Sequence, residues 1–145
     1  MRVSTRFTIA IHLLAATEYF GESHKTTSDF LASSIGCNPV IVRRVMSQLR
    51  RAGIISVRRG AGGVTLTRPL SDITFRDVLL AVEAAGEESM FHFHEHPNPA
   101  CPVGGNIHEA LDGQLAEIQQ NFEADLASRT VQSVYDAILQ AQRST

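Results

Sequence analysis

Six arginines, Arg43, Arg44, Arg50, Arg51, Arg58 and Arg59, fall within residues 43–59. A guanidinium is a rigid planar fork of donors that can pair two acceptors at once, on a phosphate or on the edge of a guanine. Such a cluster suits the gripping of a polyanion, above all a double-stranded nucleic acid. Asn38, Val40, Ser47 and Gln48 lie in the same stretch and join the candidate contacts. Val40 can meet a thymine methyl, and Ser47 and Gln48 can add weaker polar contacts, whereas Arg43 and Arg44 suit base edges or phosphates. Arg58 reads as a phosphate contact.

A second group of reactive side chains is His92, His94 and His96 at alternate positions, followed by Cys101 and His108. Imidazole and thiolate bind zinc and other soft divalent ions. No spacing here matches a defined zinc motif, and Phe91 and Phe93 between the histidines fit equally a loop edge that buries two rings. No cofactor is expected, and His92, His94 and His96 stand as the alternative metal ligands. Cys101 is the candidate for sensing an effector. Near the start of a long helix, terminal amides can stabilise its thiolate and expose it to reversible oxidation, with a buried inert thiol as the other reading. Cys37 precedes the arginine-bearing helix, so its modification could tilt that helix. Two cysteines make no disulfide framework, which points to a reducing compartment.

Bond-making chemistry lacks its parts. A nucleophile with its base, paired carboxylates or a phosphate-binding glycine loop would be needed, and none stands at a convincing spacing. The run from Gly60 to Gly63 is too short and wrongly framed for a phosphate loop. An enzyme is not expected.

The elements that must position the arginines are marked by their ends. Asn38 can cap a helix, Pro39 suits its first position, and Gly53 permits a left-handed stop. Between them Val42, Val45, Met46 and Leu49 form one apolar stripe, leaving Val40, Arg43, Arg44, Ser47, Gln48 and Arg51 on the other faces. The β-branched run Ile54, Ile55 and Val57 then predicts a strand, Gly60 to Gly63 a tight tip, and Val64 to Thr67 the returning strand, a wing over about 54–67. Upstream, Phe7, Ile11, Leu14 and Ala15 give a helix from about Ser4 to Phe20. Thr26 or Thr27 can cap a short second helix that stops at Gly36. Helix, helix, turn, helix and hairpin is the order of a winged helix-turn-helix, whose last helix enters the major groove.

Beyond Pro69, Thr74 caps a helix carrying Phe75, Val78, Leu79 and Val82, with Gly86 as its stop. Residues 86–105 hold three of the five prolines and no periodicity, so they read as a sensor or linker loop. From Asn106 the apolar residues Ile107, Leu111, Leu115, Ile118, Phe122 and Leu126 form one long seam that needs a partner, expected to be a second copy. A final short helix with Val131, Val134, Ile138 and Leu139 is expected after a break near Ser128 to Thr130, able to fold back onto that seam. The fold class is thus mainly α with a small β-hairpin. Residues 1–85 form the winged helix-turn-helix domain, 86–105 the loop, and 106–145 the dimerisation helix and C-terminal helix.

The net charge of -2 conceals a division. Residues 1–68 hold ten Lys/Arg against three Asp/Glu, and residues 69–145 hold three against twelve. Partners respond to the local potential, so the basic half keeps its affinity for nucleic acid. No run approaches the ~18 apolar residues of a membrane span, and the N-terminus leads into an amphipathic helix rather than a cleavable signal. A cytoplasmic protein with no membrane partner is expected.

The segments Asn38-Pro39-Val40, Leu49-Arg50-Arg51-Ala52-Gly53-Ile54-Ile55, Arg59-Gly60, Gly62-Gly63 and Leu66-Thr67-Arg68-Pro69, followed by Ile73-Thr74-Phe75-Arg76-Asp77-Val78, closely resemble the IscR/NsrR/CymR family of bacterial winged-helix regulators, the Rrf family. The likeness covers nearly the whole chain. The stretch from Pro97 to Gly104 resembles a less characterised branch of that family. The resemblance implies a homodimeric regulator, with a long crossing dimer helix, that reads a pseudo-palindromic operator in double-stranded DNA. It also implies that the wing arginine, here Arg59, enters the minor groove, where narrow A-tract geometry concentrates negative potential. Two departures stand out. Val64 occupies a wing position that is usually aromatic, beside one glycine fewer. Only Cys101 is present where iron–sulfur members place three cysteines, so a cysteine-ligated cluster is not expected. The expected function is a sequence-specific repressor answering a redox, metal or small-molecule signal, the alternative being a winged-helix module for protein contact.

Overall fold

The computed structural model describes residues 3–59, 62–83 and 90–145. Three helices open it: α1 (Thr5–Phe20), α2 (Ser28–Ile35) and α3 (Pro39–Arg51). Each starts on the side chain that the sequence offered. Ser4 accepts from the Arg6 amide, Thr27 from the Phe30 amide and Asn38 from the Val40 amide, and each bond satisfies an amide that the helix itself leaves unpaired. Gly36 and Gly53 end α2 and lie just beyond α3 with φ of 78° and 76°, backbone that a side-chain-bearing residue rarely adopts. The α3 stripe is wholly interior, with Val42, Val45 and Leu49 at 0% exposure.

The hairpin pairs β1 (Ile55–Val57) with β2 (Val64–Leu66) antiparallel, Ile55 opposite Leu66 and Val57 opposite Val64. The tip residues Gly60 and Ala61 lie outside the described residues. A turn at Leu70–Asp72 leads to α4 (Phe75–Val82), which opens on a full capping box: Thr74 accepts from the Asp77 amide while the Asp77 carboxylate accepts from the Thr74 amide. This helix ends at Val82 with Glu83 as its cap, three residues before the expected stop at Gly86. Gly86 itself lies outside the described residues.

The long helix α5 (Ile107–Ala127) follows the loop, and none of its 21 residues is buried. Part of its seam is lined by its own chain. Phe91 and Phe93 border one hollow with Leu115, and the Met90 amide donates to Gln119 Oε1 at 3.1 Å. Ile118 stays half exposed at 50%.

The last helix, α6 (Val131–Arg143), departs from expectation. It packs chiefly on α1 and on the Leu70–Asp72 turn instead of along the α5 seam. Val131 is fully buried in the core of the winged-helix unit, with Val134 and Tyr135 packed against that core. The reason is backbone pairing: Phe75 donates to the Arg129 carbonyl and Val131 to the Ile73 carbonyl, both at 2.9 Å, around a bridge between Thr74 and Thr130. The segment from 129 to 131 is thus stitched to the entry of α4, which aims α6 at α1. The division at residue 85 is therefore crossed by the core itself. Between α1 and α6 lies an apolar groove of about 500 Å³, bordered by Ile11, Ala15, Val134 and Ile138.

Candidate nucleic-acid interface

With its stripe buried, α3 presents the opposite face to solvent. Val40 (54% exposed) and Ile41 (41%) stand in its first turn, with Arg43 and Arg44 exposed beside them and Arg50 and Arg51 in its last turn. Arg58 and Arg59 are exposed at the end of β1. The two groups of arginine sit on neighbouring projections because α3 and β1 pack together around Ile54 and Ile55, which are 1% and 2% exposed. Asn38 is exposed, but its side-chain Oδ1 is occupied as the helix cap, accepting from the Val40 amide at 2.8 Å. Ser47 is half-buried on the flank of the helix.

Gln48 points elsewhere. Its Nε2 donates to the Val82 carbonyl at the end of α4, at 3.3 Å, and its Oε1 is buried with no partner among the described residues. The helical wheel put Gln48 beside the arginines, but tertiary packing brings α4 over that flank, so this side chain ties two helices together. Conversely, the exposed apolar residue Ile41 was missed by sequence reasoning. The available signal was an aliphatic residue lying off the α3 stripe and adjoining Val40.

In the wing, the Arg58 amide donates to the Gly63 carbonyl at 3.0 Å. A Cβ on Gly62 would meet the Arg58 Cβ at 2.4 Å, so Gly62 lies tightly against the arginine stem. Gly63 has φ of 78° and lies against the backbone of Thr26. That threonine, 3% exposed, donates through its hydroxyl to the Val64 carbonyl at 2.7 Å and accepts the Val64 amide at its own carbonyl at 3.0 Å. The loop between α1 and α2 thereby flanks β2 on the edge away from β1.

In the loop ahead of α5, His92, His94 and His96 are exposed, and Phe91 and Phe93 beside them are half-buried. The His108 ring lies edge-on to His94 at 5.3 Å and beside Phe93 at 4.7 Å, and its Nε2 lies 2.9 Å from the His94 carbonyl. Cys101 occupies a turn in which the Gly104 and Val103 amides donate toward its sulfur and hold the thiol below its ordinary value. Among the described residues, no three His, Cys, Asp or Glu side chains converge on one point.

Comparison with known proteins completes this geometry. A family profile described as "Rrf2: Iron-dependent Transcriptional regulator" matches residues 3–137. YwnA of Bacillus subtilis (strain 168), named as an HTH-type transcriptional regulator, is 38% identical over 132 residues, covering 91% of this chain and 96% of YwnA. The chain belongs to the Rrf2 family. Rrf2 proteins are transcriptional regulators and not enzymes, in keeping with the absence of a catalytic set in the sequence. A solved structure of a protein assigned as DNA-binding shares 35% identity with a TM-score of 0.69, covering 89% of this chain and 97% of that one. The IscR of T. potens, 22% identical with a TM-score of 0.66 over 98% of this chain and 91% of its own, shares the winged-helix fold. The profile's description mentions iron, yet the donor set here does not suit a cysteine-ligated cluster. Cys101 is the one thiol in the segment between α4 and α5, and the ring nitrogen of His108 nearest the loop is engaged by a carbonyl. Among the described residues, no helix is long and apolar enough to cross a membrane.

Proposed function

We propose that this Rrf2 protein is a homodimeric, cytoplasmic repressor that reads a pseudo-palindromic operator in double-stranded DNA. The observation that carries this reading is the two-sided character of α3. One face is locked into the core, while Val40, Ile41, Arg43 and Arg44 are left exposed next to the wing arginines. Placed in a major groove, α3 would bring Arg43 and Arg44 to base edges or phosphates and Val40 to a thymine methyl. Arg51 and Arg58 then take phosphates, and Arg59 reaches the minor groove.

Dimerisation is supported by the surface of α5. A 21-residue helix without a buried residue, carrying Ile107, Leu111, Leu115, Ile118, Phe122 and Leu126 in one seam, leaves apolar area that a second copy can cover. The groove between α1 and α6 offers that copy a further apolar surface. The signal enters through the loop at Cys101, whose thiol, held below its ordinary value by two amides, suits reversible oxidation and needs no cysteine-ligated cluster.

Selection of duplexes from a random pool tests the whole reading. A two-fold-symmetric consensus, bound by ~4–10 kcal/mol more tightly than scrambled duplex with a steep loss on added salt, supports it. Equal binding of selected and scrambled duplexes overturns it in favour of a protein-contact module. Sedimentation of the Ile118→Glu variant tests the dimer, since a charge on the seam should leave monomers with weakened operator binding.

A further inference from the structure

We propose that Lys25, in the loop between α1 and α2, is a third point of attachment to DNA, an ammonium that clamps a backbone phosphate beside the wing. This inference rests on the duplex-binding reading above. Lys25 is the single lysine of the chain and is exposed. Among the described residues it has no ion-pair partner.

Its position is fixed by the residue that follows it. Thr26 is buried and exchanges hydrogen bonds with Val64, the first residue of β2 after the wing tip. Gly63 approaches so closely that an added Cβ would stand 2.8 Å from the Thr26 amide nitrogen, so only glycine permits this contact. Gly63 in turn accepts the Arg58 amide at 3.0 Å. Lys25 therefore belongs to the tip end of the hairpin, the end that carries Arg58 and Arg59, and not to its root near Leu66.

The loop is also held from the other side. The His24 amide donates to the Phe20 carbonyl at 2.8 Å, the Thr27 amide donates to the Lys25 carbonyl at 2.9 Å, and the His24 ring stacks on Phe30 at 5.1 Å. The lysine stem thus leaves a braced backbone that moves with the wing. Lys25, Arg58 and Arg59 make one cationic edge, flanked in the loop and on α2 by the exposed carboxylates of Glu22 and Asp29. A compact ammonium on a flexible stem suits a phosphate, which asks for charge and not for a directional fork. A wing seated over a groove would place this edge along the bordering strand.

The experiment uses the full chain, a duplex selected by the wild-type protein from a random pool, and a scrambled duplex. Lys25→Ala removes one phosphate contact from each protomer of the bound dimer, so the slope of log affinity against log salt should fall by about 1.8, and between ~50 and ~200 mM salt the variant should lose about twelvefold less affinity than wild type. Preference for selected over scrambled duplex should stay unchanged, and Lys25→Arg should keep the wild-type slope. Amine-selective acylation read by mass spectrometry gives a second measure, because Lys25 is the one lysine to be protected when duplex is added. An unchanged slope in Lys25→Ala, or equal acylation with and without duplex, overturns the assignment while wild-type binding keeps the duplex reading intact. Wild-type protein that shows no salt-dependent duplex binding overturns both.

Discussion

Val131 is fully buried, and its amide donates a 2.9 Å hydrogen bond to the carbonyl of Ile73, at the entry of α4. The chain passes through the solvent-facing α5 and returns to complete the core it left. The C-terminal helix is therefore part of the winged-helix unit. Val131→Ala should cost about 1–3 kcal/mol through lost burial and a partly collapsed cavity, read as a lower denaturant midpoint with an unchanged slope. A chain ending before Thr130 should lose cooperative unfolding of the whole unit. Unaltered unfolding in both variants would show that α6 is an appendage.

Asp77 ties stability to pH. Burial pushes its carboxyl up, but the Thr74 amide, the Thr74 hydroxyl and the nearby Arg68 outweigh that and leave it below the ordinary carboxylate value. A group depressed in the folded state stabilises the fold fully above its unfolded value of about 3.9, and the contribution disappears as pH falls through the folded value. The Asp77→Asn variant should lose less stability than wild type over that acid range. Parallel acid limbs in urea titrations of the two proteins would remove Asp77 from the account.

Gln48 and Arg43 occupy the same helix and should behave differently. Replacing Gln48 by Ala removes both the bond to the Val82 carbonyl and the packing of the side chain between α3 and α4, so stability should fall by about 1 kcal/mol while the selected duplex consensus stays the same. Arg43→Ala should leave stability near wild type, weaken binding by about 1–3 kcal/mol and relax discrimination at one base pair in each half-site if it reads a base edge. A changed consensus in the Gln48 variant would place its side chain at DNA.

Cys101 should alkylate at lower pH than an ordinary thiol, because the Gly104 and Val103 amides favour its thiolate. In a Cys37→Ser background, the rate of reaction with iodoacetamide against pH reads this thiol alone. Val103→Pro removes one of the two amide donors and should shift the midpoint upward. A midpoint equal to that of a free cysteine peptide would deny the turn any role.

The local elements needed no tertiary information. Asn38, Pro39 and Gly53 bound α3, Thr74 caps α4, and the alternating apolar positions of the hairpin define its strands, because each signal acts within a few residues through amides, φ angles and side-chain period. The exposed arginines of the candidate interface followed from the same period, since a buried stripe fixes the opposite face. What period cannot state is which other element covers a flank. Gln48 was turned inward by α4, α6 was drawn onto α1 by backbone bonds at Ile73 and Phe75, and Lys25 was carried to the wing by Thr26. These outcomes depend on backbone groups meeting across tens of residues, and every residue carries the same amide and carbonyl, so no side-chain pattern announces the pairing. Local chemistry wrote the helices and the wing, and the burial of shared backbone bonds decided how they were assembled.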